Sequence, residues 1–585
     1  MRSGETSPKY ATQARSEVAQ ALLGGRAQPE LPFAGGDGLA LRKARGAFFT
    51  PPQLCDYVVE WAVRRPRDVI LEPSCGEAAF LLSAAERLSA LGSLPNHCAQ
   101  QLHGVEVHPE SARAAQALLE ARGCGGRIES ADFLSLEPVP RYDAVIGNPP
   151  YVRYQDFSGE ARARGRAAAR RAGVRLSRLA SSWAAFTVQA SLFLKPGGRL
   201  GLVLPAELLT VSYAAEVRRF LMRRFGRVRL VLFTERVFPG VQEEIVLLMA
   251  EGDGPTDHCE VLEVPDVAAL KFNGHITRRW RPSDAGQKWT TCLLPAAAQE
   301  TYARLAASEA FTELRRWGDT TLGMVTGNNR FFALSPLQAA RFGLTDTDLV
   351  PLSPPGSHHL RSLTFTAADW RTLGEAGRQT LLFRPAEQPS AAALRYIVAG
   401  ETKGVPKAYK CRVRSPWWRV PLLPPADVLV TYMNADTPRL CANEAGVTHL
   451  NSVHGLYLRP ELREYGMRFL PLAALNSLTL LAAELVGRAY GGGLLKLEPR
   501  EADVLPVPSP NTIAGVAAAL DDRRGEVLAH LRASRLLAAV RLIDEVFLVG
   551  LLGLSWSEVE RLSQARADLL ARRVARGSKP KGQPL

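Results

Sequence analysis

Between Asp56 and Ile146 short apolar runs alternate with segments of helical spacing. Asp68–Leu71, Gln101–Val107, Ile128–Ala131 and Tyr142–Ile146 read as strands. Asp56–Ala62, Ala78–Leu91 and Glu110–Ala121 read as helices. Runs of Val, Ile and Leu without polar alternation are buried on both faces, so this order predicts a parallel sheet with helices on each side. Arg199–Leu204, Arg229–Phe233 and Glu244–Ala250 continue it as further strands. The pattern fades at Gly252-Asp253-Gly254-Pro255, which predicts a domain boundary there. A chain of 585 residues exceeds a single core. We therefore read residues 1–40 as a weakly ordered arm, 41–255 as an α/β domain, 256–510 as an irregular α+β region and 511–585 as a helical segment with a basic tail.

The first strand ends in Glu72-Pro73-Ser74-Cys75-Gly76, and a helix follows. In an open α/β sheet a ligand lies beyond the carboxyl ends of the strands, where strand order reverses. Gly76 and its small neighbours let backbone N–H groups approach that ligand. One glycine stands where a dinucleotide fingerprint needs three, so a diphosphate fits poorly. Glu106, at the end of the second strand, is placed to accept two ribose hydroxyls. After the third strand Asp132 can take an adenine amino proton, and the ring of Phe133 can lie on the base. Three acids at successive strand ends describe a nucleoside held without pyrophosphate, a description that S-adenosylmethionine fits. The eight cysteines include no C-x-x-C pair, so neither a metal site nor a disulfide framework is expected.

Asn148-Pro149-Pro150-Tyr151 follows the fourth strand directly. An exocyclic amine on an aromatic ring is a poor nucleophile because its lone pair is delocalised. The Asn148 side-chain oxygen and the Pro149 carbonyl can accept both amine protons, favour a pyramidal nitrogen and free its lone pair. Consecutive prolines fix the backbone and aim that carbonyl. Tyr151 offers a ring on which a planar base can stack.

Residues from about 46 to 250 resemble the gamma-class, TaqI-like DNA amino-methyltransferases of restriction–modification systems. Gly46-Ala47-Phe48-Phe49-Thr50-Pro51-Pro52 is similar to the first motif of that family, which encloses the cofactor. Glu72–Phe80, Glu106, Asp132-Phe133 and Asn148–Tyr151 follow in family order. The resemblance implies a Rossmann-like class I domain dependent on S-adenosylmethionine, with a C-terminal α+β target-recognition domain. It implies a cofactor site of Thr50, Glu72, Ser74, Gly76, Glu106, Asp132, Phe133 and Asn148. It also implies catalysis at adenine N6 by Asn148, Pro149 and Tyr151. Val237-Phe238-Pro239-Gly240 resembles the motif whose Phe is the second stacking face for the flipped base. Ala78 departs from the pattern, standing where many members carry Gly.

Lys and Arg outnumber Asp and Glu by 72 to 58, which favours a polyanionic partner, here double-stranded DNA. Arg162, Arg164, Arg166 and Arg170 follow the tetrapeptide with few acids among them and read as phosphate contacts. Further on, Asn328 and Asn329 in a polar turn, and Trp418 beside Trp417, are the candidates in the recognition region. Arg572, Arg573, Arg576, Lys579 and Lys581 read as a flexible basic end. Gly491-Gly492-Gly493 admits either another segment or a phosphate. About 45 residues precede the first motif, too few for a nuclease domain, so cleavage is expected of a separately encoded endonuclease. The longest apolar run, Leu470–Gly487, contains Asn476, Thr479 and Glu484, and Met1–Gln20 has no signal-peptide core. No membrane partner and a cytoplasmic location are expected. Two rival readings stand beside this one: a protein-glutamine or RNA methyltransferase using the same tetrapeptide, and a non-catalytic DNA-binding subunit.

Overall fold

The apolar runs pair into one nine-stranded sheet, and its order sets where a ligand can lie. The computed structural model describes residues 50–94, 97–235, 237–238, 244–271 and 275–577. The N-terminal arm, Gly46–Phe49, Pro239-Gly240, Lys579, Lys581 and the side chain of Arg576 lie outside the described residues. The strands are β1 (Ile70–Glu72), β2 (Leu102–Glu106), β3 (Arg127–Ser130), β4 (Tyr142–Gly147), β5 (Leu194–Pro205), β6 (Arg227–Phe233), β7 (Ile245–Glu251), β8 (Cys259–Val264) and β9 (Arg278–Trp280). Their spatial order is 3-2-1-4-5-7-6-8-9. β1 to β5 pair in parallel, while β7 lies antiparallel between β5 and β6. The order reverses between β1 and β4, which places the switch point between Glu72 and Asn148.

The helices are α1 (Pro52–Ala62), α2 (Ala79–Ala90), α3 (Pro109–Ala121), α4 (Gly159–Arg171) and α5 (Ser182–Ser191). Pro109 opens α3 where its missing N–H costs nothing, and Glu110 follows in the first turn. Every residue of α5 is buried, so this helix fills the core rather than covering it.

The Gly252–Pro255 turn is internal to the sheet, not its end. β8 follows it and pairs in parallel with β6, and β9 closes the edge. Gly252 and Gly254 adopt positive φ of 75° and 97°, which reverses the chain tightly. Such turn chemistry is the same within a sheet as between domains.

The described residues from Thr50 onward form one compact unit. Beyond β9 a four-stranded antiparallel sheet forms from Gly318–Leu322, Val453–Leu458, Val428–Thr431 and Leu440–Ala442, in that spatial order. Helices Arg463–Ala473, Ser477–Val486, Pro510–Arg532 and Leu536–Asp544 contribute buried apolar residues to the same core. Among the described residues no single helix is long and apolar enough to cross a membrane. The apolar run Leu470–Gly487 breaks at Asn476 into two helices bent by 90°.

The last helix, α6 (Trp556–Gly577), corrects the reading of Arg572 and Arg573 as a flexible end. Arg573 is 4% exposed and pairs with Glu484 at 2.8 Å. Arg572 pairs with Glu244 and Glu263, each at 3.0 Å. Basic residues near a helix end usually face water; here carboxylates on neighbouring elements, the buried Glu484 among them, draw them in. The same packing explains the last residue of the triglycine: a Cβ on Gly493 would lie 3.0 Å from Val574 Cα, so this glycine admits α6.

Candidate functional site

Glu72 sits at the end of β1 and is 3% exposed. Its carboxylate accepts the Leu81 N–H at 3.2 Å, at the N-terminus of α2. Burial pushes this carboxyl well above the usual carboxylate range, and the backbone hydrogen bond from Leu81 and the charge of Glu106 act in opposite senses on it. The residue therefore positions the loop that follows β1.

That loop turns at Gly76, where φ is +50°. A Cβ there would meet none of the described residues within 4 Å, so among them the backbone borders open space. The Gly76 N–H donates to Glu106 at 3.0 Å, and the His108 N–H donates to the other oxygen of the same carboxylate at 3.0 Å. Glu106 is thus held rigidly at the end of β2, with lone pairs left on both oxygens. Ala78 closes the loop with φ +59° and ψ 30°, a left-handed conformation that favours glycine. Glycine would relieve that strain. Its relief is worth roughly 1–2 kcal/mol, but the buried methyl contributes about 0.8 kcal/mol and the unfolded glycine chain costs about 0.7 kcal/mol. Ala78→Gly should therefore lie within about 0.5 kcal/mol of the parent in urea denaturation, and Ala78→Val should lose about 3 kcal/mol. Equal stability of all three would refute the backbone argument.

Asn148 follows β4. Its amide nitrogen donates to the Thr50 hydroxyl at 3.2 Å. Its side-chain oxygen is shielded from solvent and accepts no hydrogen bond from the described residues. The backbone around it is pinned. Ser74 Oγ donates to the Asn148 carbonyl at 3.3 Å, and Ser182 Oγ donates to the Pro150 carbonyl. Between these two, the Pro149 carbonyl accepts no bond from the described residues. Two acceptors thus stand without donors at one strand end, a costly arrangement unless a ligand supplies the donors. Tyr151 donates its hydroxyl to the Val203 carbonyl at 3.0 Å, which fixes the ring beside β5.

Two segments of the chain match known families. Residues 39–284 match the N-6 DNA Methylase family, and residues 286–548 match the C-terminal domain of the Type II methyltransferase M.Eco57I. The Type II methyltransferase M.XamI of Xanthomonas campestris pv. amaranthicola is 28% identical over 491 residues, 81% of this chain and 87% of that protein. The chain belongs to the N6-adenine DNA methyltransferases of restriction–modification systems. M.AccI of Acinetobacter calcoaceticus, another Type II methyltransferase, is 21% identical over 470 residues, 79% of this chain and 84% of that protein. In fold, the methyltransferase is similar to the Type IIL restriction-modification enzyme MmeI, with a TM-score of 0.55 and 11% identity over 89% of this chain and 75% of that one. S-adenosylmethionine is its methyl donor. The open space over Gly76 and the held carboxylate of Glu106 fit that molecule.

Other expected site residues of the methyltransferase lie elsewhere or are already engaged. Phe133 is 2% exposed and packs against Phe186 and Phe193, with ring centroids 5.4 and 5.1 Å away. The short helical turn after Asp132 carries the ring into the core instead of the ligand space. Asp132 accepts the Leu134 N–H at 3.0 Å and pairs with Arg164 at 2.8 Å. Arg164 therefore faces a carboxylate of its own chain, and Arg162 donates to the Phe157 and Tyr154 carbonyls. Arg166 and Arg170 form no ion pair among the described residues, and Arg170 is exposed. Asn328 caps a short helix through the Phe331 N–H, and Asn329 accepts the Thr326 hydroxyl at 2.6 Å. Trp418 is half-buried against a C-terminal core cluster. Phe238 is 3% exposed.

Sequence reasoning missed Ser182. Its hydroxyl accepts the Val152 N–H at 2.9 Å and donates to Pro150, while its own N–H donates to Val152. These three bonds hold the chain on both sides of Tyr151. A serine in the first turn of an ordinary helix carries no local signal of that role.

Proposed function

We propose that the chain is a gamma-class, TaqI-like enzyme that methylates N6 of an adenine flipped out of double-stranded DNA. The observation that carries this reading is the pair of unused acceptors, Asn148 Oδ1 and the Pro149 carbonyl, on a pinned backbone. Each accepts one N–H of the adenine amino group. That draws the nitrogen out of conjugation and leaves its lone pair directed at the methyl carbon. S-adenosylmethionine supplies a methyl on a positively charged sulfur, so the protein has to align the reactants more than activate them. Glu106 holds the ribose, and the Gly76 backbone admits the cofactor. Tyr151 and Phe238 stack on the two faces of the base, offsetting part of the unstacking cost.

Arg166 and Arg170 on α4 contact phosphates, and the region after residue 286 reads the sequence. A separately encoded endonuclease cuts the same motif when it is unmethylated. DNA from a methylation-free host expressing the chain, read by single-molecule sequencing, tests the reaction. Complete N6 modification of one adenine in one short motif is expected. Unmodified DNA, with methyl label transferred to RNA or protein instead, would replace this reading.

A further inference from the structure

The guanidinium of Arg572 lies at the two ends of the segment that carries Phe238. Its Nη2 donates to the Phe233 carbonyl at 2.8 Å and to the Glu244 carboxylate at 3.0 Å. Phe233 ends β6 and Glu244 precedes β7, so these contacts flank residues 234–243 in sequence. Nη1 donates to Glu263, at the end of β8, at 3.0 Å. The side chain is 9% exposed. The next residue, Arg573, points into the C-terminal domain, where it pairs with Glu484 and donates to the Gly493 carbonyl. Adjacent arginines on one helix thus grip the catalytic sheet and the C-terminal domain.

We propose that Arg572 is a positioning residue for Phe238. By fixing Phe233 at the end of β6 and Glu244 before β7 it sets where that ring stands, and through Arg573 it ties the ring to the C-terminal domain. The charge also has a structural reason. Two carboxylates and a carbonyl converge on one guanidinium, an arrangement that needs a planar cation with several donors, and lysine offers no such fork. This inference rests on the base-stacking role of Phe238.

The test is a double-mutant cycle on the full chain, using its own target duplex with 2-aminopurine in place of the target adenine for fluorescence and adenine for rates. Arg572→Ala is expected to lower the single-turnover rate by about tenfold to a hundredfold. It should reduce the fluorescence gain on DNA binding and leave cofactor affinity within about twofold. In a Phe238→Ala background the same substitution should change the rate by less than about twofold, because its effect runs through the missing ring. Should Arg572→Ala not fold, Glu244→Gln keeps the shape of one contact, weakens its hold and enters the same cycle, with a several-fold loss expected. Losses that simply multiply would overturn the role of Arg572 alone. An unchanged rate and fluorescence in Phe238→Ala by itself would remove the stacking assignment, and the inference with it.

Discussion

Asn148→Ala is expected to lower methyl transfer by at least about a thousandfold. Cofactor affinity should stay within about threefold. On the proposed reading the substitution removes one of two acceptors for the amino group as positive charge grows on its nitrogen. Such preorganised groups are worth most where water is excluded, and the Asn148 oxygen is shielded from solvent. On the proposed reading cofactor binding draws chiefly on other groups, the Gly76 loop and Glu106; the loop meets Asn148 through its backbone carbonyl, which the substitution keeps. Single-turnover transfer and calorimetric titration of the cofactor separate the two quantities. Equal losses in both would show that Asn148 holds the cofactor and does not prepare the amine.

Glu106→Ala should have the opposite profile. On the proposed reading its carboxylate makes two charge-assisted hydrogen bonds to ribose hydroxyls, which contribute about 4 kcal/mol together, so cofactor affinity should fall about a thousandfold. The loss also frees the Gly76 and His108 N–H groups, which the carboxylate now ties into the loop. Glu106→Gln keeps one acceptor and one side of that tie, so it should lose about tenfold. DNA binding measured without cofactor should change by less than about twofold in either variant. Unaltered cofactor affinity in Glu106→Ala would move the ribose site away from β2.

The strand ends were legible because two strong signals coincide there: an apolar run too short and too β-branched for a helix, and an acid or glycine directly after it. Glu72, Gly76, Glu106 and Asn148 all lie at the edge where the order reverses. Partners distant in sequence left no such mark. Nothing local says that Asp132 meets Arg164, that Ser182 holds Pro150, or that Arg573 meets Glu484. Charge runs mislead for the same reason. The arginines of α4 read as one basic face, yet Arg162 and Arg164 bond within the chain and Arg171 pairs with Glu137. Phe133 shows a further limit: next to a strand-end acid, an aromatic ring turns inward or outward according to the backbone of the following turn.

The double grip of α6 bears on how new specificities are made. The match to the C-terminal family covers residues 286–548, and α6 begins after it at Trp556. A chimera that imported only the matched segment from a relative would keep Arg573 and replace its partner Glu484 with whatever the donor carries. One charge would then be buried without its counterpart, a defect that costs roughly 3–5 kcal/mol. The natural unit of exchange is the C-terminal domain together with α6, with Glu244 and Glu263 retained on the catalytic side as the fixed socket for the transplanted helix.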